Sequence, residues 1–155
     1  MECYEGAMMI KTFRGLIADG AQDTIVLHTN DGSTGYRIVK FQIIGAEPGE
    51  QHSESTVKIY KIEQTLPVDN AVDFSDQTLL AVAYYQDAHD VYTDSTQVIF
   101  DHEIFNQDIY VTHEDTRGTQ PVNYYLELEQ IKLDINSNTV ATLKDMRNTA
   151  TPNPG

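Results

Sequence analysis

Apolar residues in this chain return at every second position, in short blocks of Val, Ile, Tyr, Phe and Thr, and sustained helical spacing is scarce. A period of two belongs to strands, because successive side chains leave a pleated backbone on opposite sides. The chain therefore reads as all-β. About eight strands are expected, at 10–17, 24–29, 36–44, 57–62, 78–85, 97–100, 108–112 and 123–134, with Gly, Pro, Asn and Asp clustered between them. That spacing predicts a single antiparallel β-sandwich, jelly-roll-like in character. A length of 155 residues suits one core. The domain is placed at 8–148, after an N-terminal extension at 1–7 and before a flexible tail at 149–155 whose Pro-rich, polar sequence cannot build a core.

Four local patterns sharpen this picture. In 36–44, Val39, Phe41 and Ile43 point one way and Lys40 and Gln42 the other, while Tyr36, Ile38 and Ile44 make the second face partly apolar. The loop 30–35, with Asp31-Gly32 and Gly35, predicts a hairpin joining 24–29 to 36–44. The run 79–85 has no polar face, so that strand either sits centrally in the sandwich or lies under a neighbouring subunit. In 123–134, Tyr124, Leu126 and Leu128 share a parity that Ile131 and Leu133 break, which predicts a β-bulge or bend near Glu129-Gln130, carrying the strand from one sheet to the other. Residues 138–147 fit either a short C-terminal helix capped by Asn138 or an extra strand.

Charge narrows the partners. The net charge is -14, and 62–131 holds fourteen acids against one base, Arg117, which leaves the rest of the chain nearly balanced. Binding driven by phosphate neutralisation is disfavoured, so no nucleic acid is expected. The acidity reads either as a solubilising surface or as a match for a cation or a basic partner. The first twenty residues show neither a signal peptide nor a membrane span, and the one cysteine, Cys3, cannot form an internal disulfide. A soluble protein of a reducing compartment, with no membrane partner, is expected.

Candidate chemistry is sparse. Asp87, His89, Asp90 and Asp94 form the densest set of possible ligands, in an expected loop where oxygen donors could hold calcium, although the glycine and terminal glutamate of an EF-hand are missing. An exposed polar turn explains the same residues. Asp101-His102-Glu103 and His113-Glu114-Asp115 put imidazole beside carboxylate, but neighbours on a strand face opposite ways. No GxSxG, HExxH or phosphate loop occurs. The expectation is no enzyme, no metal and no cofactor. The doublets Tyr84-Tyr85 and Tyr124-Tyr125 send one ring to each side of a sheet, which supplies interface anchors or sugar-stacking platforms beyond what the core uses.

The segments 105–113, 123–134 and 141–147 (Phe-Asn-Gln-Asp-Ile-Tyr-Val-Thr-His, Asn-Tyr-Tyr-Leu-Glu-Leu-Glu-Gln-Ile-Lys-Leu-Asp and Ala-Thr-Leu-Lys-Asp-Met-Arg) resemble those of small virion proteins of tailed bacteriophages of marine bacteria. The resemblance covers roughly the C-terminal third and carries no catalytic motif. It implies a structural subunit synthesised in the host cytoplasm and placed on the virion, as a capsid decoration or cement protein or as a neck or tail component. The implied partners are other virion proteins, the major capsid protein among them, and further copies of itself. The rival reading is a carbohydrate- or receptor-binding sandwich using exposed tyrosines and calcium at Asp87, Asp90 and Asp94.

Overall fold

The computed structural model describes residues 9–29, 32–50, 52–88 and 93–133. The expected extension 1–7, the helix or strand at 138–147 and the tail 149–155 lie outside the described residues. Among the described residues eight strands form: β1 (Met9–Ile17), β2 (Gln22–Ile25), β3 (Thr34–Gly45), β4 (His52–Tyr60), β5 (Leu79–Ala88), β6 (Thr93–Ile99), β7 (Ile109–Asp115) and β8 (Val122–Lys132). They build two antiparallel sheets, a three-stranded one in the order β1-β8-β3 and a five-stranded one in the order β2-β7-β4-β5-β6. The pairings nest as in a jelly roll, since β1 and β3 flank β8 in one sheet while β2 and β4 flank β7 in the other. In place of a fourth strand on β3, Phe105 exchanges backbone hydrogen bonds with Tyr36 at 2.8 and 2.9 Å.

The core lies between the sheets. Phe41, Leu126 and Leu128 from one layer meet Val57, Ile59, Ile109 and Val111 from the other, all fully enclosed. Their inward direction follows from strand parity, and their burial supplies the main stabilisation of the fold.

Several local expectations change. The hairpin between 24–29 and 36–44 does not form, because β2 ends at Ile25 and pairs with β7 while β3 pairs with β8. The connection between them crosses from one sheet to the other. The bulge expected near Glu129-Gln130 sits instead on the neighbouring strand, where the β3–β8 register shifts between Ile38 and Lys40 and leaves Val39 as the extra residue. One extra residue reverses parity, so Tyr36 and Ile38 before it and Phe41 after it all reach the core. β8 keeps its register and stays in one sheet.

The strand with two apolar faces is central. β5 lies between β4 and β6, with Ala81 and Ala83 in the core and Val82 on the outer face, 7% exposed. Beside it, Lys58, the cross-strand neighbour of Val82, is held from above by the crossover 62–78: its Nζ donates to the carbonyl of Ala71 and lies 3.3 Å from an Asp69 oxygen. The crossover therefore lies over the outer face of the five-stranded sheet, and no second subunit is needed to bury β5.

Strands β4, β5 and β7 also run further than their apolar residues indicate. His52 to Ser55 join β4, Asp87 and Ala88 join β5, and His113 to Asp115 join β7. Inward-facing Ser53, Ser55, Asp87, His113 and Asp115 give the sandwich a buried polar end.

Candidate functional site

The outer face of the three-stranded sheet carries a groove of about 710 Å³. Strand register lays its floor out as two rows. Arg14, Tyr125 and Gln42 stand side by side across β1, β8 and β3, and Leu16, Asn123 and Ile44 form the next row. Ser95 and Gln97 of β6 close one wall. Leu16 and Ile44 are 58% and 54% exposed, an unusual state for two large aliphatic residues flanking one position of a sheet.

The polar groups around this floor are fixed from beside it. The Tyr125 hydroxyl donates to Glu127 Oε2 at 2.6 Å, and that bond, with some loss of hydration, raises the phenol above its ordinary pKa. Arg37 Nε donates to Glu129 Oε1 at 2.6 Å, and Asn123 Nδ2 reaches the Gly45 carbonyl at 3.4 Å. Among the described residues lining the groove, Arg14 is the one that carries a charge. Chemically the surface offers aliphatic and phenolic contact, planar amides and one guanidinium, which suits binding rather than bond making.

The tyrosine doublets divide across the sheets. Tyr85 and Tyr124 turn inward, 2% and 6% exposed, whereas Tyr84 and Tyr125 point out. The Tyr124 hydroxyl donates to Asp23 Oδ2 at 3.0 Å, and burial together with the Asp23 charge pushes its pKa up.

The triplets take structural positions. His113 Nδ1 lies 3.2 and 3.1 Å from the carbonyl oxygens of Ile17 and Ala18, both of which can only accept, so Nδ1 carries the proton. Its Nε2 is then left to accept the Ser55 hydroxyl at 2.9 Å. This is the arrangement of a base aimed at a hydroxyl nucleophile, yet Ser55 and His113 are 1% and 0% exposed and no substrate can approach either. The pair ties the β1–β2 turn to β4 and β7. Glu114 faces the other way. In the other triplet, Asp101 and His102 occupy an exposed turn with 3.9 Å between His102 Nε2 and Asp101 Oδ1, and Glu103 pairs with the buried Lys61 at 3.5 Å.

Asp115 organises the β7–β8 loop. Its Oδ1 accepts from the backbone of Glu54, Arg117 and Gly118 and its Oδ2 from that of Gln120, at 2.9 to 3.1 Å. Burial alone would raise this carboxyl, but the four donors outweigh it and the net shift is downward. Asp108 behaves alike: burial is opposed by the His28 side chain and by the backbone of Leu27 and His28, and its pKa falls. In the unfolded chain both groups titrate near about 3.9. Folded values below this mean that their stabilisation is complete above that pH and is lost as pH drops through the folded values. The melting temperature is expected to hold from about pH 7 to about pH 5 and to fall below about pH 4, with a shallower fall in Asp115→Asn. Calorimetric scans across this range check the result.

Of the possible calcium ligands, Asp87 and Asp94 do not converge. Asp87 turns into the sandwich, 1% exposed, and accepts the backbone N–H of Gly49 at 2.8 Å, where a turn with Gly49 at φ +85° brings that donor in. Asp94 pairs in register with Gln86, one residue out of phase with Asp87, so the two carboxylates leave opposite faces of the sheet. Asp94 accepts from the backbone of Ser95 at 2.9 Å. His89 and Asp90 lie outside the described residues. Among the described residues no group of three His, Cys, Asp or Glu side chains is placed to hold a metal ion, and no helix is long and apolar enough to cross a membrane.

In comparisons with known proteins, no family model matches the chain and no curated protein matches it.

Proposed function

We propose that this chain is a structural subunit of a phage virion, a capsid decoration or cement protein that works through protein–protein contacts. Neck and tail positions remain variants of the same role. The observation that carries the reading is the groove face, where Leu16 and Ile44 stand more than half exposed on a sheet whose strands are rigidly paired. Apolar residues fixed on preformed strands need little ordering to dock, which is what a repeated building piece requires. The resemblance of the C-terminal segments to phage virion proteins supplies the setting. Jelly-roll sandwiches serve as viral coats and as lectins alike, so the fold admits the role without specifying it.

Ile44→Asp puts a charge at the centre of the proposed contact while leaving the core untouched. It is expected to lower incorporation into particles at least about tenfold, consistent with a buried charge at an interface costing a few kcal/mol. Quantitative protein staining of purified particles, mutant against wild type, provides the check, and equal incorporation would remove the groove face from the account.

A second reading, a carbohydrate-binding module, draws on Tyr125 flanked by Arg14 and Gln42 with Asn123 beside them, since an aromatic ring among planar amides suits a sugar ring. Asp87 and Asp94 leave opposite faces of the sheet, so they do not hold a calcium ion together for this reading. Calorimetry of the isolated chain against a panel of oligosaccharides decides this reading.

A further inference from the structure

We infer that the groove receives a second copy of this chain, which presents its crossover 62–78, so that subunits join head to tail. The inference rests on the proposed structural role and names the partner of that same surface. Its first support is position. The crossover lies over the outer face of the five-stranded sheet, anchored by Lys58 at Asp69 and Ala71 and by Phe74, whose ring meets Phe100 edge-on at 5.3 Å. The groove has its floor on the other sheet, so the two surfaces are separate and can be engaged at the same time.

The second support is chemical complementarity. Residues 62–78 contain Glu63, Asp69, Asp73 and Asp76 and no Lys or Arg. Among these acids Leu66, Val72 and Phe74 are 54%, 46% and 55% exposed. The groove offers the converse, exposed Leu16 and Ile44 beside Arg14, which pairs with no carboxylate among the described residues. Apolar groups can therefore meet apolar groups while the arginine meets an acid.

Like faces fit poorly. Two grooves would bring two Arg14 side chains together, and two crossovers would oppose four acids to four acids. The contact is therefore heterologous, and each added copy leaves one groove and one crossover free, so subunits continue into a ring or a filament. The net charge of -14 on every copy opposes approach at long range, which makes association depend on concentration or on a particle that gathers the copies.

Sedimentation of the full chain, from micromolar to millimolar concentration, tests this. Wild type is expected to rise in mass past the dimer. Ile44→Asp and Val72→Asp, both at exposed positions, are each expected to stay monomeric because each loses one half of the contact. Mixed in equal amounts they are expected to form a one-to-one pair and nothing larger, since one retains a groove and the other a crossover. Wild type that stays monomeric, Val72→Asp that associates like wild type, or a mixture that fails to pair would each overturn the inference. Failure here leaves the proposed role to stand or fall on particle composition, which is measured separately.

Discussion

Replacing His113 with alanine is expected to destabilise the fold by about 4 kcal/mol, as measured by reversible denaturant unfolding. The side chain is fully enclosed and serves three partners, the carbonyls of Ile17 and Ala18 and the hydroxyl of Ser55. Alanine removes the ring and leaves a cavity in a packed interior, and it also strands groups that water cannot reach. The companion substitution Ser55→Ala removes one donor and leaves His113 bound to both carbonyls. Its expected cost is about 1 kcal/mol. A His113 loss no larger than the Ser55 loss would contradict a structural role for the imidazole as a tie between the β1–β2 turn and the five-stranded sheet.

Gly45→Val is the second large effect, about 3 kcal/mol. A Cβ at Gly45 would lie 2.8 Å from Cε2 of Tyr85, whose ring is buried, so the ring or the strand would have to shift. Gly45 ends β3 and Tyr85 belongs to β5, so this contact sets how closely the two sheets approach at the polar end of the core. Gly15 stands in a similar relation to the ring of Tyr124, its cross-strand partner on β8, at 3.0 Å. Each inward tyrosine of a doublet thus fills the space over a glycine. Thermal melts of Gly45→Val and Gly45→Ala check the prediction, with valine expected to melt lower. Tyr85→Leu, which removes the crowded end of the ring, is expected to restore part of the loss in Gly45→Val.

These two positions illustrate what strand periodicity reveals and what it hides. Alternation of apolar residues identified an all-β sandwich, because Phe41, Val57, Val111 and Leu126 must face one way on pleated strands. It could not name strand partners. Turn residues at 30–35 signal that the chain changes direction, but whether β2 then pairs with β3 or with β7 depends on packing between sheets, which no local pattern encodes. The mixed parity of Tyr36, Ile38, Phe41 and Ile43 was the signature of the bulge at Val39, and it resembles a strand with two half-apolar faces until the register is known.

The buried polar end escapes the apolar pattern for a related reason. Ser55 shares parity with Val57, and His113 with Val111, so continuing each apolar face by two residues would have carried both strands inward through them. The groove had no such signal. Arg14, Gln42 and Asn123 come from three strands far apart in sequence, and only the β1-β8-β3 order makes them neighbours. Acidic residues are informative mainly after the fact: Asp87, Asp108 and Asp115 accept backbone N–H groups, a role that counting charge cannot distinguish from a surface one.

The central claim is that this sandwich acts as a building piece through its groove face. Counting copies of the chain in purified phage particles tests it most directly. The account predicts many copies per particle, fixed in ratio to a repeating virion protein, and near absence of the Ile44→Asp form. A chain missing from purified particles, or one that turns over a substrate when isolated, would contradict it.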